Sequence, residues 1–269
     1  MDMFNSEFTD FQKQFVLQPQ YNLTDGKFGK VSVYKHEPTQ KELLVKYIKS
    51  KYFNPIEPYV HYLMKNNKFF VKLYYSINWL SGHLLIMDFV KQGDLFDVIN
   101  TRTLSEDEVK LIVCQLVDAL NALHVNNLIH NDVKLENILY RDNGQIVLCD
   151  YGLCQHIGIK SIYNGTLDYF SPEKINHGPY DTHFDWWAVG IVTYELLTKQ
   201  NHPFKTNNIE NLNISKLKLR QKEQVLFFNY NMSVKAKKFI YQLLNYNLHN
   251  RLVTYKEIKQ HDFLKCNIY

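Results

Sequence analysis

The chain has 269 residues, of which 45% are hydrophobic and 22% charged, with a formal net charge of +4. That length can bury a sizeable core, and an aromatic content of 14% excludes a disordered polymer. The mild positive charge admits a nucleotide or an acidic partner but does not call for direct nucleic-acid binding, and none is expected.

Phe4, Phe8, Phe11 and Phe15 recur at helical steps, which predicts an amphipathic helix over residues 1–14. Its apolar stripe serves either its own domain or a second copy of the chain, as a homodimer contact. The N-terminus Met1-Asp2-Met3-Phe4 is acidic and lacks an apolar core, so no secretory signal is expected. Runs rich in β-branched and aromatic residues follow at Val31–Tyr34, Leu43–Ile48, Val71–Tyr75 and Leu84–Met87, with one helix predicted within Pro58–Lys65.

Beyond Gly93 the pattern is helical. Ser105 with Glu108 forms a capping box that opens an apolar helix over Val109–His124. A short strand is predicted at Ile146–Cys149, a strongly apolar helix over Asp185–Leu197, and a helix over Val234–Tyr246 capped by Ser233. Thr254 with Glu257 opens a last helix, and residues 205–231, rich in Asn, Lys and Gln, read as loop. Strands first and helices later imply an α+β chain in two lobes. No apolar run approaches a membrane span. Cys114, Cys149, Cys154 and Cys266 form no C-x-x-C pair, so reduced thiols in a reducing compartment are expected rather than a metal site.

The chemistry centres on His130-Asn131-Asp132-Val133-Lys134-Leu135-Glu136-Asn137. Phosphoryl transfer needs a group that orients a hydroxyl, a cation for the γ-phosphate, and metal ligands between phosphates; Asp132, Lys134 and Asn137 supply one of each. Asp150-Tyr151-Gly152 follows the predicted strand, where a carboxylate is placed to hold Mg²⁺. Upstream, Leu23-Thr24-Asp25-Gly26-Lys27-Phe28-Gly29-Lys30-Val31 reads as a turn between strands whose N–H groups cover phosphates. Lys46 lies in an apolar strand and needs an anionic partner.

In this order, these pieces resemble the eukaryotic protein kinase family over about residues 15–264. Gly165-Thr166-Leu167-Asp168-Tyr169-Phe170-Ser171-Pro172-Glu173 resembles the end of an activation loop. Asp185–Gly190 resembles the buried helix that anchors the catalytic loop, and Arg251 stands where the family pairs an Arg with the Glu of that Ser-Pro-Glu. The resemblance implies a bilobal kinase domain over residues 15–266. It has a small antiparallel N-lobe (15–87) with one main helix, a hinge (88–93) and a larger helical C-lobe (94–266).

The resemblance also implies roles. Asp132 accepts or orients the substrate hydroxyl and Lys134 neutralises the transferring phosphoryl group. Asn137 and Asp150 hold Mg²⁺, Lys46 grips the α/β-phosphates of ATP, and Glu57 is the helix carboxylate that pairs with Lys46. Pro58 restricts that last assignment to the start of a helix. Met87 is the gatekeeper, the Asp88 and Val90 backbone meets adenine, and Asp94 reaches ribose or substrate. Thr166 and Lys134 point to Ser/Thr specificity. Asp94, Glu136 and Glu195 stand where basophilic kinases face substrate Arg.

Asn131 replaces the usual Arg beside the catalytic Asp, which implies no buried cation waiting for a phosphate and activity independent of activation-loop phosphorylation. Ser161 and Tyr163 are the local phosphosites otherwise. Thr24 replaces the first Gly of the phosphate loop, and Tyr151 the Phe of Asp-Phe-Gly. The competing readings are a pseudokinase binding module and a small-molecule kinase of related fold. In size and in its His-Asn-Asp variant, the chain is similar to the baculovirus protein kinase 1 group of insect viruses. That similarity implies an Arg-rich nucleocapsid or histone-like protein substrate and a part in very late viral gene expression. It also implies a place in the host cytoplasm or nucleus or with the virion, and not secretion.

Overall fold

The computed structural model describes residues 9–10, 13–21, 29–79, 81–199, 202–206, 210–228 and 232–265. The predicted N-terminal stripe falls largely outside these residues. Its last member, Phe15, is not helical but opens a strand, Phe15–Leu17. The phosphate-loop residues Leu23, Thr24, Asp25, Gly26, Lys27 and Phe28 also lie outside the described residues, as does Cys266.

The chain divides into two compact units, Met1–Lys91 and Gln92–Tyr269. The first is built on five antiparallel strands: β1 (Phe15–Leu17), β2 (Gly29–His36), β3 (Lys41–Lys49), β4 (Leu73–Trp79) and β5 (Gly82–Asp88), in the order β1-β2-β3-β5-β4. The central strand β3 places Lys46 opposite Val31 on β2 and Leu85 on β5. Val33, Leu43, Ile48 and Leu85 are buried, and Val60 of helix α1 (Ile56–Leu63) adds to this unit's core. Helix α1 begins two residues before the predicted span because Pro55 serves as its N-cap. Pro58 sits in the first turn, where its missing N–H costs nothing.

The second unit is mainly helical. Its helices are α2 (Leu95–Thr101), α3 (Glu106–His124), α4 (Pro172–Ile175), α5 (Thr182–Thr198), α6 (Ile214–Glu223), α7 (Val234–Leu243) and α8 (Tyr255–Lys259). Short strands β6 (Leu128–Ile129) and β9 (Gln155–His156) pair, as do β7 (Ile138–Tyr140) and β8 (Ile146–Leu148). Both capping boxes form, at Ser105–Glu108 and Thr254–Glu257. Helix α5 is apolar around its whole circumference, with Trp186, Trp187, Val189 and Ile191 essentially inaccessible, so it forms the axis of this unit.

Helix α6 corrects the reading of residues 205–231 as loop. Its N-cap Asn213 accepts from the Lys216 N–H, and only Leu217 and Gln221 of the helix are buried. One apolar contact and one cap leave almost no hydrophobic period to read. Among the described residues, Cys114, Cys149 and Cys154 form no disulfide with one another. Among the described residues, no helix is long and apolar enough to cross a membrane.

One long-range ion pair closes this unit. The Arg251 guanidinium donates to both Glu173 oxygens, at 2.8 and 3.0 Å, and to the Asn245 and Tyr246 carbonyls. Its side chain is wholly inaccessible, whereas Glu173 keeps some exposure. Removing the carboxylate therefore strands a buried charge. Glu173→Ala is expected to lower the unfolding free energy in urea by about 3–5 kcal/mol. A loss below about 1 kcal/mol would mean that the two carbonyls alone satisfy the guanidinium.

Candidate active site

In the first unit, Lys46 solves its burial problem through α1. Its Nζ lies 2.7 Å from Glu57 Oε1, and Glu57 is almost fully buried as the second residue of the helix. The bond fixes a cation in the middle of an apolar sheet. Gly29 is required for a local reason: a Cβ there would overlap the Tyr47 carbonyl oxygen across the β2–β3 pair. Lys30 is exposed and Val31 half-buried on the same strand. Met87 and Val90 are buried. Asp88 accepts from the Tyr74 hydroxyl at 2.6 Å and pairs with Lys41 at 3.1 Å.

In the second unit, the catalytic loop hangs from one carboxylate. Asp185, in the first turn of α5, accepts from the His130 N–H (2.8 Å), the Asn131 N–H (2.9 Å) and His124 Nε2 (2.8 Å). Burial alone would push this carboxyl up. The His124 bond, the nearby His130 and the Asn131 N–H outweigh burial and hold it below the usual carboxylate range. Asn131 then takes a left-handed backbone, with φ +68°, a conformation that Asn tolerates better than most residues.

Asp132 is held on both oxygens. Its Oδ1 accepts from the Thr166 N–H and hydroxyl, both at 2.9 Å, and its Oδ2 accepts from Asn137 Nδ2 at 3.0 Å. Lys134 Nζ lies 3.5 Å from Asp132 Oδ2 and donates to Thr166 Oγ1 at 3.0 Å. A hydroxyl thus already sits between the carboxylate and the ammonium, which is the arrangement that a Ser or Thr nucleophile requires.

Asn137 and Asp150 suit a hard divalent cation. Asn137 Nδ2 is committed to the Asp132 carbonyl (2.8 Å) and carboxylate, both pure acceptors, so the amide oxygen is its remaining ligand atom. The Cys149 N–H donates to the Asn137 carbonyl at 3.1 Å, which brings the following residue, Asp150, beside it. Asp150 is left-handed (φ +59°). An amide oxygen and a carboxylate, completed by phosphate and water, make a typical divalent-metal set. Tyr151 is fully buried, and its added hydroxyl donates to the Leu148 carbonyl at 2.5 Å.

The three acids read as substrate contacts converge electrostatically on exposed Glu136, whose charge acts on both Asp94 and Glu195. Asp94 caps α2, and partial burial, Asp97 and Glu136 push its carboxyl up. Glu195 is buried in α5 and accepts from the Tyr169 hydroxyl at 2.7 Å. Burial pushes it up to about 8, with Glu136 and Asp168 adding to the rise.

The exchange of Arg for Asn at 131 comes with a buried cation that is already engaged: Lys174, 2% exposed, donates to Asn131 Oδ1 at 2.5 Å. Sequence reasoning missed it because a Lys after Ser-Pro-Glu looks like a solvated residue in a first turn. Of the two suggested phosphosites, Ser161 is buried with an orphaned hydroxyl, whereas Tyr163 is exposed and its hydroxyl donates to the Ile175 carbonyl.

Comparisons with known proteins agree with this geometry. The protein kinase domain family matches residues 18–264. A serine/threonine-protein kinase 1 from Lymantria dispar multicapsid nuclear polyhedrosis virus is 47% identical over 100% of this chain and 98% of its own. The kinase of the same name from Heliothis zea nuclear polyhedrosis virus is 47% identical over 98% and 99%. The solved structure of the Cydia pomonella granulovirus kinase, PK-1, superposes with a TM-score of 0.90 at 39% identity, covering 99% of this chain and 100% of that one. The chain therefore belongs to the protein kinase family, as an ATP-using serine/threonine kinase of the baculovirus type.

Proposed function

We propose that this kinase transfers the γ-phosphate of Mg-ATP to Ser or Thr in basic, Arg-rich proteins of nucleocapsid or histone-like composition. In this reading it acts in the host cytoplasm or nucleus, or with the virion, and serves very late viral gene expression. The observation that carries the substrate preference is the set Asp94, Glu136 and Glu195. Two of these carboxyls are pushed up by burial and by nearby acids, and Lys205, a cation that acts on Glu195, is itself paired with Asp168. A substrate guanidinium would relieve that repulsion and find acceptors for bidentate bonds.

In the proposed reaction the substrate hydroxyl takes the position next to Asp132 and Lys134 that the Thr166 hydroxyl now marks. Its oxygen bonds to the γ-phosphorus, the bond to the ADP oxygen breaks, and the hydroxyl proton passes to Asp132. Lys134 offsets charge on the transferring group. Lys46, oriented by Glu57, grips the α/β-phosphates. Met87, Asp88 and Val90 meet adenine. Asn137 and Asp150 would hold Mg²⁺, and the ion would supply positive charge against the phosphates.

Asp132→Asn is expected to lower kcat by about 10²–10⁴-fold without unfolding the protein. Lys46→Met and Glu57→Gln should both reduce turnover, and an unimpaired Glu57→Gln enzyme would remove that residue from the machinery. A wild-type protein with no Mg²⁺-dependent transfer above Asp132→Asn would instead be a binding module.

The substrate preference has a pH signature. Glu195, pushed up to about 8, holds a proton at pH 7 that Arg binding must expel. The KM for an Arg-rich peptide should therefore fall roughly tenfold from pH 7 to 9. Glu195→Gln should flatten that dependence. Better turnover of peptides with acidic flanks would end the basic-substrate reading.

A further inference from the structure

Asn131 occupies the junction of three segments. Its Nδ2 donates to the Leu153 carbonyl (2.9 Å), at the start of the activation segment, and to Asn164 Oδ1 (3.1 Å), within it. Its N–H is held by Asp185. Its two oxygens both receive Lys174 Nζ, Oδ1 at 2.5 Å and the backbone carbonyl at 3.4 Å, and Lys174 lies in α4, just past that segment. The ammonium also sits 4.3 Å from the Phe170 ring centre. Among the described residues, no carboxylate lies within ion-pair distance of it.

A buried ammonium with neutral acceptors is expensive, and an apolar residue would pack here more cheaply. We propose that Lys174 is a positioning residue for phosphoryl transfer: an internal cation that ties the catalytic loop to both ends of the activation segment, in place of a phosphate on that segment. Three further observations support this role. Lys174 attracts Asp132 and Asp185 through space. A small cavity of about 10 Å³, room for one water, is lined by Asn131, Asp132, Thr166, Lys174 and Asp185. Gly165, at φ +91°, admits this packing, because a Cβ there would press on the Asn131 carbonyl at 3.0 Å and on Asp132 at 3.2 Å.

Burial brings the ammonium down to about 8, partly offset by Asp132 and Asp185. Asp185 in turn is bonded to His124 and feels the nearby His130. The proposal rests on the kinase activity and not on the preference for basic substrates.

The test uses full-length protein shown by intact mass to carry no phosphate, with whichever peptide pool the wild type phosphorylates best. Wild type should turn over in that state, with a kcat that declines above about pH 8. Lys174→Met should lower kcat at least tenfold, leave the KM for ATP within twofold, and lack the alkaline decline. Should that variant fail to fold, Asn131→Gly, which keeps the left-handed backbone accessible, should lower kcat to a similar extent. A folded Lys174→Met or Asn131→Gly enzyme with wild-type kcat overturns the proposal. So does a phosphate-free wild type that turns over only after its activation segment is phosphorylated.

Discussion

The buried carboxylate of Asp185 is the constraint on which the rest of this site depends. It lies 1% exposed at the head of α5, a helix whose buried side chains are mostly apolar. A charge there survives only if its lone pairs are filled, and the cheapest donors are two consecutive backbone N–H groups and an imidazole. Each such charge-assisted bond contributes about 1.5–3 kcal/mol. Filling them forces Asn131 into the left-handed region and turns the chain so that Asp132 meets Thr166 and Asn137. The reactive geometry is thus a consequence of satisfying one ion in the core.

The same helix carries a second buried carboxylate with the opposite fate. Asp185 is held below the usual range by its donors, whereas Glu195, ten residues on, is pushed up to about 8 with a single tyrosine hydroxyl as its close donor. One acid is structural because it is satisfied. The other is under-satisfied, which is what suits it to the proposed contact with a cationic substrate. Helix α5 thereby fixes both the reacting loop and the acid assigned to substrate choice.

Much of this was legible in the sequence, because strong signals are local. The capping boxes at Ser105 and Thr254, the β-branched and aromatic runs of β2 through β5 and the strongly apolar stretch of α5 are each local. The Asp132–Asn137 spacing reports a loop whose chemistry needs those groups. What escaped detection was non-local or weakly patterned. Helix α6 has a polar surface with two buried residues, so no period marks it. Gly29 also lies against the Tyr47 carbonyl of the neighbouring strand, a contact that no local pattern reports. Lys174 sits 43 positions from its partner Asn131, and nothing in a single sequence says that the loss of an Arg at one site is answered by a Lys at another.

If the Asp185 anchor and the Lys174 junction together preorganise the loop, its backbone is already locked in protein that carries no phosphate. Amide hydrogen exchange resolved at His130 and Asn131 addresses this directly. In protein of verified phosphate-free mass, these two amides are expected to exchange as slowly as the core of α5. Rapid exchange at His130 and Asn131 beside a protected α5 would contradict it.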